Sequence, residues 1–270
     1  MENTTEDIPL YKYLNLESFL YLMGTRRLRF SKITDWPDKF EGSSYKISSK
    51  IFYDGKHVSF ENIWGSCWTK ETDIEACHSS EGSLSRANTE LREHGSAAMW
   101  GSYCSSCGIR VKSTLRKIED AVKTFTEKSN SIFRHGDVVY SADIQPRKDE
   151  TALLHKHIPF RYESEYRFLL VDKDAELKEA EVPIGDPFTF FDEMLVGSTT
   201  KNNKWLVSII HQALAASVGL GGNSTDRGRF AKISQLFGNS SENLTISYIR
   251  FNTFSEVQKA LEPFMPSPRE

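Results

Sequence analysis

Apolar and polar residues alternate in "LYKYL" at 10–14, the spacing of a short strand, and shift to helical spacing in "NLESFLYLMGTRR" at 15–27. Asn15 is placed to cap that helix and Gly24 stands near its end. "RLRFS" at 27–31 alternates again, so the chain opens strand, helix, strand. Acids, Pro37 and Gly42 in "ITDWPDKFEGSS" predict a loop or short helix. "FENIWGSCWT" at 60–69 reads as a buried strand, and the polar run 70–90 as a surface excursion. "HGSAAMWGSYC" predicts a helix, "GIRVKST" a strand, and "TLRKIEDAVKTFTEK" a helix that turns Leu115, Ile118, Val122 and Phe125 to one face.

Further on, "GDVVYSADI" predicts a strand and "ETALLHKH" a helical turn. The strongest strand pattern in the chain follows, "FRYESEYRFLLV" at 160–171. "FDEMLVGS" gives another strand, and "NNKWLVSIIHQALAAS" an amphipathic helix with Trp205, Ile209, Ile210 and Leu214 inward. "VGLGGNSTDRGR" reads as a loop, "NLTISYIRF" as a late strand and "SEVQKALEPF" as a short helix before a tail. With no repeat and no break in composition, residues 1–270 read as a single α+β domain. Its sheet is expected to be mixed and mostly antiparallel, with room for a split, and flanked by helices. Residues 10–197 form the core, and 198–270 add a C-terminal helix, strand and tail.

Composition narrows the function. An apolar fraction of 39% supplies a packed core, and a net charge of −3 argues against nucleic-acid binding driven by bulk charge. "MENTTEDIPL" lacks the form of a secretory signal and no stretch is apolar enough for a membrane span, so the expected location is cytoplasmic, with reduced cysteines.

Candidate chemistry centres on the strongest strand. On an extended strand Glu163, Glu165 and Arg167 share one face, spaced by about 7 Å, where the chain turns apolar. Such a face lines a cleft or forms an exposed ladder of ion pairs. Cys104 and Cys107 have the Cys-x-x-Cys spacing, with Cys67, Cys77 and His78 as further ligands for zinc. No second pair at ligand spacing accompanies them, which favours plain structural cysteines and no metal. Asp35, Asp38 and Glu41 with Glu163 or Glu165 would suit a metal-dependent nuclease, and the same acids suit a capped turn. His155 and His157 are not at helical ligand spacing.

In their order, "LYKY", "LRFS", "DKFE", "SCW", "MWGSY" with "GIRV", and "KH" with "YESEYRFLL" resemble a bacterial family known as domain of unknown function 2971, over residues 10–197. The chain departs from it at Lys39, where that family favours proline, and in the polar insert after Trp68. The layout is also similar to the ADP-ribosyltransferase superfamily, and "ESE" resembles the Glu-x-Glu element of one branch. Lys12 or Tyr13 stands where another branch opens with histidine, and a Ser-Thr-Ser element is reduced to Phe30 and Ser31.

That resemblance implies NAD as substrate and an ADP-ribosyltransferase or NAD glycohydrolase acting as a bacterial toxin or anti-phage effector. The acceptor, protein or nucleic acid, stays open. It further implies Glu165 as the carboxylate that stabilises a cationic ribose and Glu163 as the base for the acceptor. Lys12 or Arg167 would meet the pyrophosphate, Ser31 would line the cofactor site, and Tyr13, Trp100 or Tyr103 would stack on its rings, unless the aromatics are ordinary core. A non-catalytic interaction domain is the reading from another class.

Overall fold

The computed structural model describes residues 7–36, 50–53, 56–71, 81–104, 108–129, 131–142, 153–197 and 231–233. The helix expected at 202–217, the glycine-rich loop, the late strand and helix, Asp38, Glu41, Cys77, His78 and Cys107 lie outside them.

The opening follows the hydrophobic pattern. Strand β1 (Pro9–Asn15) runs into helix α1 (Leu16–Thr25), where the Asn15 side chain accepts a bond from Ser18 N. Gly24 stays inside the helix, and the left-handed residue that ends it is Arg26, at φ 55°. Strand β2 (Arg27–Lys32) and a 3₁₀ turn (Ile33–Asp35) follow. An unforeseen hairpin, β3 (Lys50–Tyr53) and β4 (Lys56–Ser59), precedes β5 (Ile63–Thr69).

The next helix departs from expectation in its start. Helix α2 (Glu81–His94) ends at Gly95, whose φ of +80° breaks the chain before α3 (Ala97–Tyr103), so "HGSAAMWGSYC" is two elements meeting at a glycine. Then come β6 (Gly108–Thr114), α4 (Leu115–Ser129), β7 (Ile132–Asp137) and β8 (Val139–Ser141). "GDVVYSADI" therefore straddles the end of one strand and all of another. In "ETALLHKH" the expected helical turn is present at Leu153 and Leu154, and the histidines after it form a three-residue strand, β9 (His155–His157). After a 3₁₀ turn (Ile158–Glu163) come β10 (Glu165–Val171), β11 (Ala180–Pro183), the helical turn α5 (Pro187–Phe190), β12 (Glu193–Val196) and β13 (Ala231–Ile233).

Nine strands form one sheet in the order β11-β2-β5-β1-β6-β12-β13, with β10 and then β7 attached at β5. Its pairs are antiparallel except β12 with β13. This is the mostly antiparallel α+β architecture that the pattern predicts.

The sheet is split at one place. On one edge β5 pairs with β10 along its whole length; on the other it meets β2 at Trp64 and Gly65 and β1 only at Thr69. Strands β1 and β2 therefore diverge beside Ser66 and Cys67. Lys12 reaches into the gap, its Nζ donating to Cys67 O at 2.8 Å and Ser66 Oγ at 3.2 Å, so the carbonyl left without a strand partner on that side is satisfied.

The two faces of the sheet are packed differently. On one, α1 and α4 cover a continuous core around Phe19, Met23, Trp68, Val111, Ile118 and Phe168. The other face carries two smaller apolar clusters, one around Phe60, Ile63, Leu169 and Val171, the other around Tyr13, Met99, Trp100 and Leu195. Among the described residues, the charged side chains buried on strands are Arg110 of β6, Lys156 of β9, and Glu165 and Arg167 of β10.

Candidate active site

The pattern "YESEYR" does not make one extended strand. Glu163 ends the 3₁₀ turn, Ser164 adopts the left-handed conformation at φ 41°, and β10 begins at Glu165. Glu163 thus does not share a strand face with Glu165 and Arg167, and Tyr162 lies at the surface rather than opposite them. The reversal at Ser164 nevertheless brings the two carboxylates together on one ammonium. Lys156 of β9 places Nζ 2.5 Å from Glu163 Oε2 and 3.3 Å from Glu165 Oε2.

An exposed ladder of ion pairs is excluded by burial: Glu163 is 3% exposed, Glu165 4%, Lys156 5% and Arg167 1%. Among the described residues their contacts include buried neighbours and Tyr103. Arg167 donates to Glu165 through Nε at 2.6 Å and Nη2 at 3.0 Å, and through Nη1 to Leu153 O at 2.7 Å. Its guanidinium stacks 4.8 Å from the centre of the Trp36 ring, whose Nε1 donates to Ser31 Oγ at 2.9 Å. Tyr103 of α3 donates to Glu163 Oε1 at 2.9 Å, and Tyr140 of β8 accepts from Glu165 N at 2.9 Å. Tyr103 itself is 45% exposed, so its ring leads from Glu163 to the surface.

Equal chemistry in unequal surroundings drives the two carboxyls apart. Burial raises Glu163 to about 7, opposed by Lys156 and assisted by the charge of Glu165. Burial also acts on Glu165, but the two bonds and the charge of Arg167, with Lys156 behind them, outweigh it and hold that carboxyl well below the usual range. The surroundings thus favour the ionised form of Glu165 and the protonated form of Glu163. Opposed protonation states in neighbouring carboxyls are how paired acids take on different tasks.

The residues expected to hold a cofactor fall into three places. Ser31 and Arg167 are tied through Trp36 to the Glu165 side, and Tyr103 stands over Glu163. Lys12 lies at the split, bonded to β5; burial lowers its ammonium, while the charges of Cys67 and Glu165 act in the other sense. Tyr13 is next to Lys12 on the same strand and therefore points to the opposite face. It packs edge-on against Trp100, ring centres 4.8 Å apart, accepts from Ser96 N and donates to Glu71. Trp100 is 1% exposed and packs in the core beside it. In this arrangement Tyr13 and Trp100 are core residues, and Arg167 is engaged by Glu165 rather than turned to solvent.

Sequence reasoning passed over Lys156, Tyr140, Trp36, Glu71 and Arg110. The run 70–90 is not wholly a surface excursion, because Glu71 is 3% exposed, at φ 49°, and sits 2.5 Å from Arg110 Nη1. Arg110 also donates to the carbonyls of Leu91 and Arg92 at the end of α2 and to Glu193, and its stacked partner is Tyr11. This second buried pair clamps α2 onto the sheet. It meets the first across the bond from Lys70 N to Ser164 O, 3.0 Å. A lysine two residues before an isoleucine-proline pair and a single glutamate in a polar run carry no periodicity that would mark them as buried.

Among the described residues no group of three or more His, Cys, Asp or Glu side chains is arranged to hold a metal ion. Cys104 is buried and bonded to Leu14 O, and burial pushes its thiol up to about 12. No helix of the described residues is long and apolar enough to cross a membrane.

No protein-family model matches the chain, so the resemblance to domain of unknown function 2971 finds no support there, and no curated protein matches it. One solved structure similar to it is Thermus sp. 2.9 DarT in complex with ADP-ribosylated ssDNA, at a TM-score of 0.34 and 10% identity, over 77% of this chain and 88% of that one. A likeness so loose fixes neither fold family nor chemistry.

Proposed function

We propose that the protein is an NAD-consuming enzyme, an ADP-ribosyltransferase or NAD glycohydrolase, with Glu165 and Glu163 as its working pair. The observation that supports this is the opposed state of two carboxyls on one shared ammonium: Glu165 held as an anion, Glu163 poised near neutrality. Cleavage of the bond between nicotinamide and ribose sends the bonding electrons out with nicotinamide and leaves positive charge on the sugar. A fixed anion placed there lowers the barrier. An acceptor hydroxyl, amine or water then bonds to the anomeric carbon and passes its proton to Glu163, which must be ionised to take it. Activity therefore rises with pH through the titration of Glu163.

The roles of the other residues follow their positions. Arg167 and Lys156 hold the pair. Ser31, beside Trp36, stands on the Glu165 face where a ribose would approach, Lys12 comes to the split from the opposite face with its ammonium bonded to β5, and Tyr103 covers the way to Glu163. A toxin or defence role and a cytoplasmic location belong to the same proposal.

Purified protein incubated with NAD labelled in nicotinamide and in adenine, alone and with cell extract, single-stranded DNA, RNA or protein, tests the reading. Released nicotinamide or transferred adenine label is expected, with loss of more than about a hundredfold in Glu165→Gln. Growth arrest by the wild type and not by Glu165→Gln would extend it to a toxin. Turnover equal to that of Glu165→Gln under all these conditions would sink it.

A second reading rests on its own observation. Both oxygens of Glu165 are engaged by Arg167 and Lys156 in a site closed to solvent, as in a purely structural brace of a non-catalytic interaction domain. Under that reading Glu165→Gln lowers the melting temperature and no NAD is consumed by either protein.

A further inference from the structure

Lys156 is a single ammonium set between two carboxylates of different standing. It lies closer to Glu163, 2.5 Å against 3.3 Å, although Glu165 is the one with a further cation, Arg167, on its other side. The groups that face Glu163 come from four elements: Tyr103 of α3, Tyr140 of β8, Lys156 of β9 and Glu165 of β10, with Arg167 on the far side of Glu165. Cys67 of β5 bonds Glu165, and Lys12 of β1 feels its charge. Only Lys156 among these cations bonds both carboxyls directly. Its side chain is buried and its ammonium lies 4.9 Å from the centre of the Phe160 ring, whose face attracts the cation beside both carboxyls.

We propose that Lys156 is a positioning residue that couples the two glutamates, its ammonium bonding Glu163 when that carboxyl is ionised and passing to Glu165 when Glu163 takes a proton. This deepens the catalytic reading and rests on it for its use. In the transfer step, the acceptor's proton arrives on Glu163, the Lys156 bond to Oε2 is lost, and the same ammonium strengthens its bond to Glu165 Oε2. No charge is created or destroyed within the site beyond the proton received. The move is a shift of less than an ångström in a hydrogen bond already shared, so it needs no change of fold. Its effect on chemistry is to weaken the field of the Glu165 anion once the acceptor has reacted, so that the anion no longer favours a return to the cationic ribose. Arginine in place of Lys156 keeps a cation with a fork of donors, so the coupling persists; methionine keeps the stem and removes it.

The test is a titration by nuclear magnetic resonance on the full chain, with 13C in the glutamate carboxyls and 15N in the lysine side chains. In the wild type, the Lys156 ammonium signal and the Glu165 carboxyl signal are expected to move with the same midpoint as Glu163. In Lys156→Met the Glu163 midpoint is expected to rise by about one pH unit or more, since a cation at hydrogen-bond distance is lost, and Lys156→Arg is expected to return it. A Lys156 signal that stays still while Glu163 titrates overturns the proposal in the unmodified protein, whether or not Lys156→Met folds. A Glu163 midpoint unmoved in a folded Lys156→Met protein overturns it as well. None of these readouts requires NAD, so failure of the transferase assay with a coupled titration would remove the enzyme reading and leave the coupling standing. Where activity is present, the limb of the pH profile assigned to Glu163 is expected to shift with the same midpoint in Lys156→Met and to be rescued in Lys156→Arg.

Discussion

Glu71→Gln isolates the energetic consequence of a buried carboxyl. Burial raises Glu71 to about 7, against the pull of Arg110 and the bond from Tyr13. A carboxyl whose folded value lies above its unfolded value of 4.5 is protonated in the native state over that whole interval while the unfolded chain has released its proton. The native state then binds more protons, so stability falls as pH rises from about 4.5 to about 7. A gap of about 2.5 units at about 1.4 kcal/mol per unit sets a loss of about 3.5 kcal/mol over the whole interval. Glutamine resembles the protonated acid and does not titrate. Urea unfolding followed by tryptophan fluorescence at pH 5, 6, 7 and 8 gives the difference between variant and wild type, in which shared contributions cancel. One such contribution is His135, whose value burial lowers and whose neutral native form makes stability rise with pH below 6.5. The variant is expected to gain about 2 to 3 kcal/mol on the wild type between pH 5 and 7. A flat difference, or one of opposite sign, would mean that Arg110 rather than burial governs Glu71, and the reasoning would fail.

Other expectations are simpler. Gly95→Ala places a Cβ 2.6 Å from both Trp100 Nε1 and Tyr13 Oη at φ +80°, so it is expected to lower stability by about 2 kcal/mol or more in the same denaturation assay. Arg26→Gly relieves a left-handed residue at the end of α1 and is expected to raise stability by about 0.5–1 kcal/mol. Cys104, with its thiol pushed up to about 12, is expected to resist iodoacetamide in the folded protein and to react on unfolding, read by peptide mass spectrometry.

What was legible in the sequence is what periodicity encodes. Strand, helix and strand at the start, α3 with β6, α4 with its face of Ile118 and Val122, and β12 all follow from alternation or helical spacing. Elements held by partners far along the chain were not: β9 is three residues long and exists through its pairing with β8, and β11 through its pairing with β2. The hairpin of β3 and β4 was missed although Asp54-Gly55 between them is a known hairpin signature. Glu163, Glu165, Arg167 and Tyr103 were singled out and do meet, yet for a reason periodicity cannot carry. The turn that reverses Glu163 onto Lys156 depends on a left-handed serine, and no side chain of Ser164 announces it.

Two charged pairs buried side by side pose an energetic question that bears on function. Taking Lys156, Glu163, Glu165 and Arg167 out of water costs several kcal/mol per ion, and well-packed apolar groups of similar volume are often as stable or more so. Apolar clusters already stand on both flanks of this site, so the sheet has the means to continue a dry core and does not use it. The site adds strain: Glu71 and Ser164 both take left-handed conformations that favour glycine, and one hydrogen bond, Lys70 N to Ser164 O, joins their segments. Desolvated charge and backbone strain concentrated where the end of β5 meets the start of β10 are poor devices for stability alone. They make sense together if the two glutamates must differ in protonation while lying on one ammonium, because only a closed, cation-rich pocket separates them so far. Exposure would return both to ordinary carboxylates, and removal of Lys156 would leave Glu163 without the cation that favours its ionised form. The closed state is therefore the condition of the chemistry proposed, and Tyr103, half in solvent with its hydroxyl on Glu163, is the side chain through which an acceptor would gain access to it.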